Sequence, residues 1–306
     1  MANSSVSFGL QYTARSISLP SRLHPNAIRF EAELNKLKNW EASSLSITEP
    51  LCEVAIQAGL VGLAELYNCT EDLMQSSTAQ AALIQHQNGI VVEESLERSV
   101  ELLDSCGIIR DLFFSVKEHV QELQSALRRK NGDASIGKDI IRYLCFRKQV
   151  KKEVAKSLRS LKHMESRIGS SHDVLDIDHH LAMVIRVFRE VTVITTSVLR
   201  SLLFFLSSPA SARTKPSGWS LISKLMLTKS AVANKSHVLN NMGCADLALT
   251  SLQGHIKNGG IKADVQLAGK QLQMLDTSIE GLETGVEGLF RQLVRYRVTL
   301  LNMLIH

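Results

Sequence analysis

Between positions 261 and 303 the apolar residues recur at alternating steps of four and three: Ile261, Val265, Ala268, Leu272, Leu275, Ile279, Leu282, Val286, Leu289, Leu293, Tyr296, Leu300 and Met303. That alternation holds one stripe of an α-helix toward a partner helix, the condition for knobs-into-holes packing. At about 1.5 Å per residue such a helix exceeds roughly 60 Å. A second seam, Cys106, Ile109, Phe113, Val116, Val120, Leu123 and Leu127, lies on a helix predicted over 89–129. Two long seams in one chain can pair with each other.

Shorter patterns fill the remainder. Pro25 suits the first turn of a helix whose apolar face is Phe30, Leu34, Leu37 and Trp40. A second helix is predicted from near Thr48, with Pro50 early, Val54, Leu60, Leu63, Leu66 and Leu73 inward, and a small-residue face at Ala55, Ala58, Gly59 and Gly62. Turn signals at Gln87-Asn88-Gly89, Asn131-Gly132-Asp133, Gly169-Ser170-Ser171 and Asn258-Gly259-Gly260 separate further helices, predicted over 135–168, 171–206 (Ser171 as N-cap), 219–227 and 238–256. The stretch 207–217, SSPASARTKPS, reads as a flexible loop. No fixed-period repeat is visible, which disfavours a solenoid.

The terminal seam could zip two copies together or lie inside one bundle. With Val265, Leu272, Ile279, Val286, Leu293 and Leu300 at a, the g positions carry Asp264, Gln271, Ser278, Gly285, Gln292 and Thr299, all but the first uncharged where a two-stranded zipper normally carries charge. Gly281, Gly285 and Gly288 form a second stripe, each costing about 1 kcal/mol of helix propensity relative to Ala. Phe290, Val294, Val298, Leu301, Leu304 and Ile305 make the last turns apolar around most of their circumference. Such a helix wants several neighbours. The expected fold is therefore all-α: an elongated bundle of long helices with coiled-coil-like packing, with the seam Leu272, Leu275, Ile279, Leu282, Val286, Leu289 and Leu293 inside one chain. The expected domain is 25–306, with a loop at about 207–218, preceded by a disordered, basic, Ser-rich tail at 1–24.

Composition fits. Only five prolines occur among 306 residues, none between Pro50 and Pro209, so nothing breaks a helix there on backbone grounds. A net charge of +5 and 5% aromatics point away from a nucleic-acid partner. The five cysteines, Cys52, Cys69, Cys106, Cys145 and Cys244, are scattered and unpaired in sequence, which suits a reduced, cytoplasmic setting. An acid-free, Ser-rich start weakly resembles a plastid transit peptide, the lesser alternative. The run 181–206 is apolar enough to suggest a membrane span, but Arg186, Arg189, Glu190 and Arg200 interrupt it. Each would cost about 2.5–3.5 kcal/mol at a membrane centre, so a buried central helix is expected.

Two segments carry a resemblance. Arg15-Ser16-Ile17-Ser18-Leu19-Pro20-Ser21-Arg22, followed by His24-Pro25 and Glu33-Leu34-Asn35-Lys36-Leu37, resembles the opening of the plant-specific BYPASS-like family, a domain of unknown function. The close, Ser278-Ile279-Glu280-Gly281-Leu282-Glu283-Thr284-Gly285-Val286-Glu287-Gly288-Leu289-Phe290-Arg291, resembles that family's C-terminal signature. The resemblance implies a helical, non-enzymatic plant protein associated with root and shoot development. It brings no catalytic residues with it.

Candidate chemistry is sparse. Arg15, Ser16, Ser18 and Pro20 fit R-S-x-S-x-P, in which phosphorylated Ser18 would dock into the arginine cluster of a 14-3-3 protein. A basic stripe, Arg147, Lys148, Lys151, Lys152, Lys156, Arg159 and Lys162, stands opposite Val150, Val154, Leu158 and Leu161 on one predicted helix; it suits an anionic membrane surface, or is simply a solvated face. His172, Asp173, Asp176, Asp178, His179 and His180 offer the best case for a metal-dependent hydrolase, although acids in a first helical turn also meet the helix dipole favourably. Cys145, near Arg142, Arg147 and Lys148, lacks an identified base. No nucleotide-binding or hydrolase signature occurs. The expectation is a non-enzymatic interaction protein with no cofactor, no metal and no small-molecule substrate, its protein partners unidentified. A peripheral membrane adaptor is the alternative.

Overall fold

The computed structural model describes residues 25–44, 52–85, 89–130, 135–168, 179–207, 240–256 and 261–305. Among these residues there are eight helices and no strand: α1 (Pro25–Ser44), α2 (Glu53–Met74), α3 (Ser77–Gln85), α4 (Gly89–Lys130), α5 (Ile136–Ile168), α6 (His179–Ser207), α7 (Asn241–His255) and α8 (Ile261–Ile305). The fold is all-α. The proposed tail, the 207–218 loop and the helix expected at 219–227 lie outside the described residues, apart from Ser207 at the end of α6.

The two long seams meet. Ala268, Leu272, Leu275, Ile279, Leu282, Val286, Leu289, Leu293, Tyr296 and Leu300 are all buried, as are Cys106, Ile109, Phe113, Val116, Val120, Leu123 and Leu127 of α4. The helices α4 and α8 form the most extensive pair. They run antiparallel: Gln121 bonds Asp276, Lys117 bonds Glu283 at 2.8 Å, and Arg297 donates to the Leu96 carbonyl at 2.9 Å. The chain thus buries the seam from Ala268 to Leu300 within its own fold.

α2 runs parallel to α8 on its other side. Glu53 accepts from Ser278 at one end, and Glu71 accepts from Arg295 at 2.6 Å at the other. The approach is close because glycine permits it: a Cβ on Gly285 would sit 2.6 Å from Leu60 Cδ1. Across α2, a Cβ on Gly59 would lie 2.5 Å from the Trp40 ring, whose Nε1 donates to the Ala55 carbonyl at 2.6 Å. Gly288, read from sequence as part of the α8 stripe, faces open space instead. Val54, expected inward, is 66% exposed, because α2 starts only at Glu53 and its inward face first engages at Ile56.

α6 is the central staff, touching α1 to α5. It is the one helix among the described residues long and apolar enough to cross a membrane, yet 72% of its most apolar window is buried within the bundle. Three of its four charges pair with neighbours, Arg186 with Glu31 at 2.7 Å, Glu190 with Lys38 at 2.9 Å and Arg200 with Glu165, while the fourth, Arg189, is exposed. Its buried threonines close onto their own backbone, Thr195 onto the Val191 carbonyl at 2.7 Å. Thr195 also meets the buried Tyr67 hydroxyl at 2.8 Å.

One boundary was not expected. α2 ends at Met74, and Ser76 starts α3, its Oγ accepting from the Ala79 amide at 3.4 Å. Serine at such a position satisfies an amide that the new helix leaves open, so the Ser76-Ser77-Thr78 run was a start signal.

Candidate functional site

α5 divides its circumference between core and solvent. Ile136, Ile140, Tyr143, Arg147, Val150, Val154, Ser157, Leu161, Met164 and Ile168 are buried, again at steps of three and four. Arg147 belongs to that buried row and not to the exposed stripe in which its charge had placed it. It is 2% exposed; its Nε donates to Asp246 Oδ1 of α7 at 3.0 Å, and one terminal nitrogen donates to the Leu206 carbonyl at 2.9 Å and to Asp246 Oδ2 at 3.2 Å. One guanidinium thus ties α5 to the end of α6 and to α7. Its other terminal nitrogen has no hydrogen-bond partner among the described residues. The signal was legible: Arg147 is four residues after Tyr143 and three before Val150.

Lys151 is half-buried and also turns to Asp246, at 3.4 Å. The remaining stripe is solvent-facing: Lys148, Lys152, Lys156, Arg159 and Lys162 are exposed. Lys156 reaches Glu153 at 4.0 Å, whereas among the described residues Lys148, Lys152, Arg159 and Lys162 have no ion-pair partner. The other acids of α5 are occupied, Asp139 by Arg142 at 3.8 Å and Glu165 by Arg200. At 3.6 residues per turn these five cations fall within an arc of about 120°, along about 21 Å of helix.

A second feature is an apolar groove of about 550 Å³ where α2, α3, α4 and the end of α8 converge. Met74, Leu83, Ile84, Val92, Val294 and Val298 line it, with Ile84 63% and Val298 50% exposed. Among the described residues the all-round apolar end of α8 therefore has neighbours on one side only.

The family described as Protein BPS1 matches residues 59–303, from the middle of α2 to the last turn of α8. The chain belongs to the BPS1 family. No curated protein and no solved structure matches it. BPS1 membership agrees with the BYPASS-like resemblance and points to a plant developmental regulator of unknown biochemical function.

Within the BPS1 match, the C-terminal signature lies on α8 where it faces α2 and α4. Gly281 and Gly285 meet α2, while Glu283 and Glu287 face Lys117 and Arg110 of α4. The N-terminal motif Arg15, Ser16, Ser18 and Pro20 lies outside both the match and the described residues. Positions 172–178 of the His/Asp cluster fall within the match but outside the described residues; His179 and His180 are exposed in the first turn of α6, and no group of three metal-ligating side chains occurs among the described residues. Cys145 is exposed on α5, whereas Cys106 is buried, and burial pushes its thiol up to about 12.

Proposed function

We propose that this BPS1-family chain is a non-enzymatic interaction protein that docks on anionic membrane surfaces through the solvent face of α5, with protein partners recruited through its N-terminal tail. The observation that carries the reading is the row Lys148, Lys152, Arg159 and Lys162, without ion-pair partners among the described residues and joined by Lys156, on a helix whose opposite face is fixed in the core. Mostly lysine, the row presents point charges rather than rigid forks, which suits a field of acidic headgroups better than one bidentate phosphate. The scarcity of aromatics argues against nucleic acid. Basic residues near an acidic bilayer contribute about 1 kcal/mol each, and the attraction decays within a Debye length of about 8–10 Å.

The test is co-sedimentation with phosphatidylcholine vesicles with and without phosphatidylserine. Binding is expected only with phosphatidylserine. Lys152→Glu/Lys156→Glu/Arg159→Glu, all on exposed positions, should weaken it at least a hundredfold, from about 3 kcal/mol of lost attraction. Equal binding to neutral vesicles, or no change in the triple variant, overturns the reading. The tail reading rests on R-S-x-S-x-P: a peptide of residues 11–25 phosphorylated at Ser18 should bind a 14-3-3 protein, and the Ser18→Ala peptide should not.

A further inference from the structure

Among the described residues nothing covers the apolar groove at the end of α8, and the chain carries a segment suited to it. α1 begins beside the groove: Asn26 Nδ2 donates to the Asp72 carbonyl at 3.0 Å, and Arg29 Nη1 bonds Asp72 Oδ2 at 2.9 Å. Asp72 lies between the groove-lining residues Glu71 and Met74. Residues 1–24 thus join the bundle within about one helical turn of the groove wall.

Their sequence supplies an apolar strip. Val6, Phe8, Leu10 and Tyr12 alternate with Ser7, Gly9 and Gln11, so an extended backbone would put the four apolar side chains on one side. The thirteen residues from Tyr12 to Pro25 span at most about 43–47 Å, ample reach for a neighbouring groove. A groove of about 550 Å³ is in the range that takes several such side chains. Charge agrees as well: residues 1–24 contain Arg15 and Arg22 and no acid, α4 exposes Glu93 and Glu97 close to groove-lining Gly89 and Val92, and the groove-lining cation Arg295 is already paired with Glu71. Tethering raises the local concentration of the strip into the millimolar range, so modest contacts suffice.

We propose that residues 6–12 pack, in the same chain, into the groove formed by Met74, Leu83, Ile84, Val92, Val294 and Val298. The groove is then a receptor for the protein's own N-terminal strip. The proposal is independent of lipid binding by α5.

The test uses the full chain with Phe8 replaced by benzoylphenylalanine, irradiated as an equal mixture of isotopically light and heavy protein. Crosslinks are expected within one copy, to peptides covering 71–92 or 289–305. In the same protein Val298→Asp, a substitution at a half-exposed position, should cut the yield about tenfold, because a carboxylate is poorly accommodated among apolar side chains. If that variant loses its helical circular dichroism, crosslink position in the parent alone decides. Crosslinks elsewhere in the chain, light-to-heavy crosslinks that assign the groove to a second copy, or an unchanged yield in folded Val298→Asp overturn the proposal.

Discussion

Replacing Arg147 separates a surface role from a structural one. The side chain is 2% exposed and makes its bonds to Asp246 and to the end of α6, so Arg147→Ala strands a partly buried carboxylate, frees the Leu206 carbonyl and leaves a void where the stem packed. Breaking a buried pair by deleting one partner costs about 3–5 kcal/mol. Lys151, 3.4 Å from Asp246, retains part of the attraction, which puts the expected loss near the lower limit, about 3 kcal/mol. For a domain of this size that corresponds to a fall in Tm of about 6–12 °C. Asp246→Asn, which leaves the more deeply buried guanidinium unneutralised, should cost as much or more. Arg147→Met/Asp246→Leu removes both charges and should recover most of the loss, since apolar replacement of a buried pair is often neutral or stabilising. Urea unfolding followed by circular dichroism at 222 nm gives all three values. A loss below about 1 kcal/mol for Arg147→Ala, together with weakened vesicle binding, would return Arg147 to the surface stripe and refute the buried assignment.

Other expectations follow from the same packing. Gly285→Leu should destabilise by about 1–3 kcal/mol or more, because the new side chain has to displace Leu60, while Gly288→Ala, facing open space, should be neutral or stabilising by a few tenths; thermal melts compare them. Leu282→Asp, fully buried between α8 and its partners, should prevent a cooperative fold, as read by loss of helical signal. The Cys106 thiol, raised from 9.0 by burial, stays neutral in the fold while the unfolded chain ionises, so its stabilising contribution is complete below pH 9 and fades as pH rises toward about 12; Cys106→Ala should flatten that part of the stability profile, leaving the slope due to the buried tyrosines Tyr67, Tyr143 and Tyr296. Thiol labelling at pH 8 should modify the exposed Cys52 and Cys145 first, and Cys69 and Cys106 only on unfolding.

Periodicity made the long helices legible, because burial on one side of a helix leaves a trace at every third or fourth residue. Thus α4 and α8 could be paired from their seams before any coordinates, and the charged interruptions of α6 pointed to helix partners rather than lipid. Features set by a single distant contact left a fainter trace. Nothing in the sequence says that Gly285 meets Leu60 while Gly288 meets nothing, since both lie on the same apparent stripe and the difference is where α2 crosses it. The break before α3 was written in Ser76-Ser77-Thr78, but no proline or glycine accompanied it to interrupt the apolar pattern.

Arg147 shows why charge alone misassigns a residue on a two-faced helix. On α5 the core row and the basic row are separated by a rotation of one residue, so a stripe defined by charge takes in a member of the core row, and only position within the three-four spacing tells them apart. The cost of burying that charge is met by contacts from two other helices, so Arg147 fixes the rotation of α5 about its axis. That rotation decides which lysines reach solvent: with Arg147 turned to Asp246, Lys148, Lys152 and Arg159 are held outward together. The buried arginine and the exposed cations are therefore linked. A variant that loosens the first should blur the orientation of the second, so Arg147→Met/Asp246→Leu, even where stable, should bind acidic vesicles less tightly than the parent; equal binding would refute this link and assign the rotation to the apolar row of α5 alone.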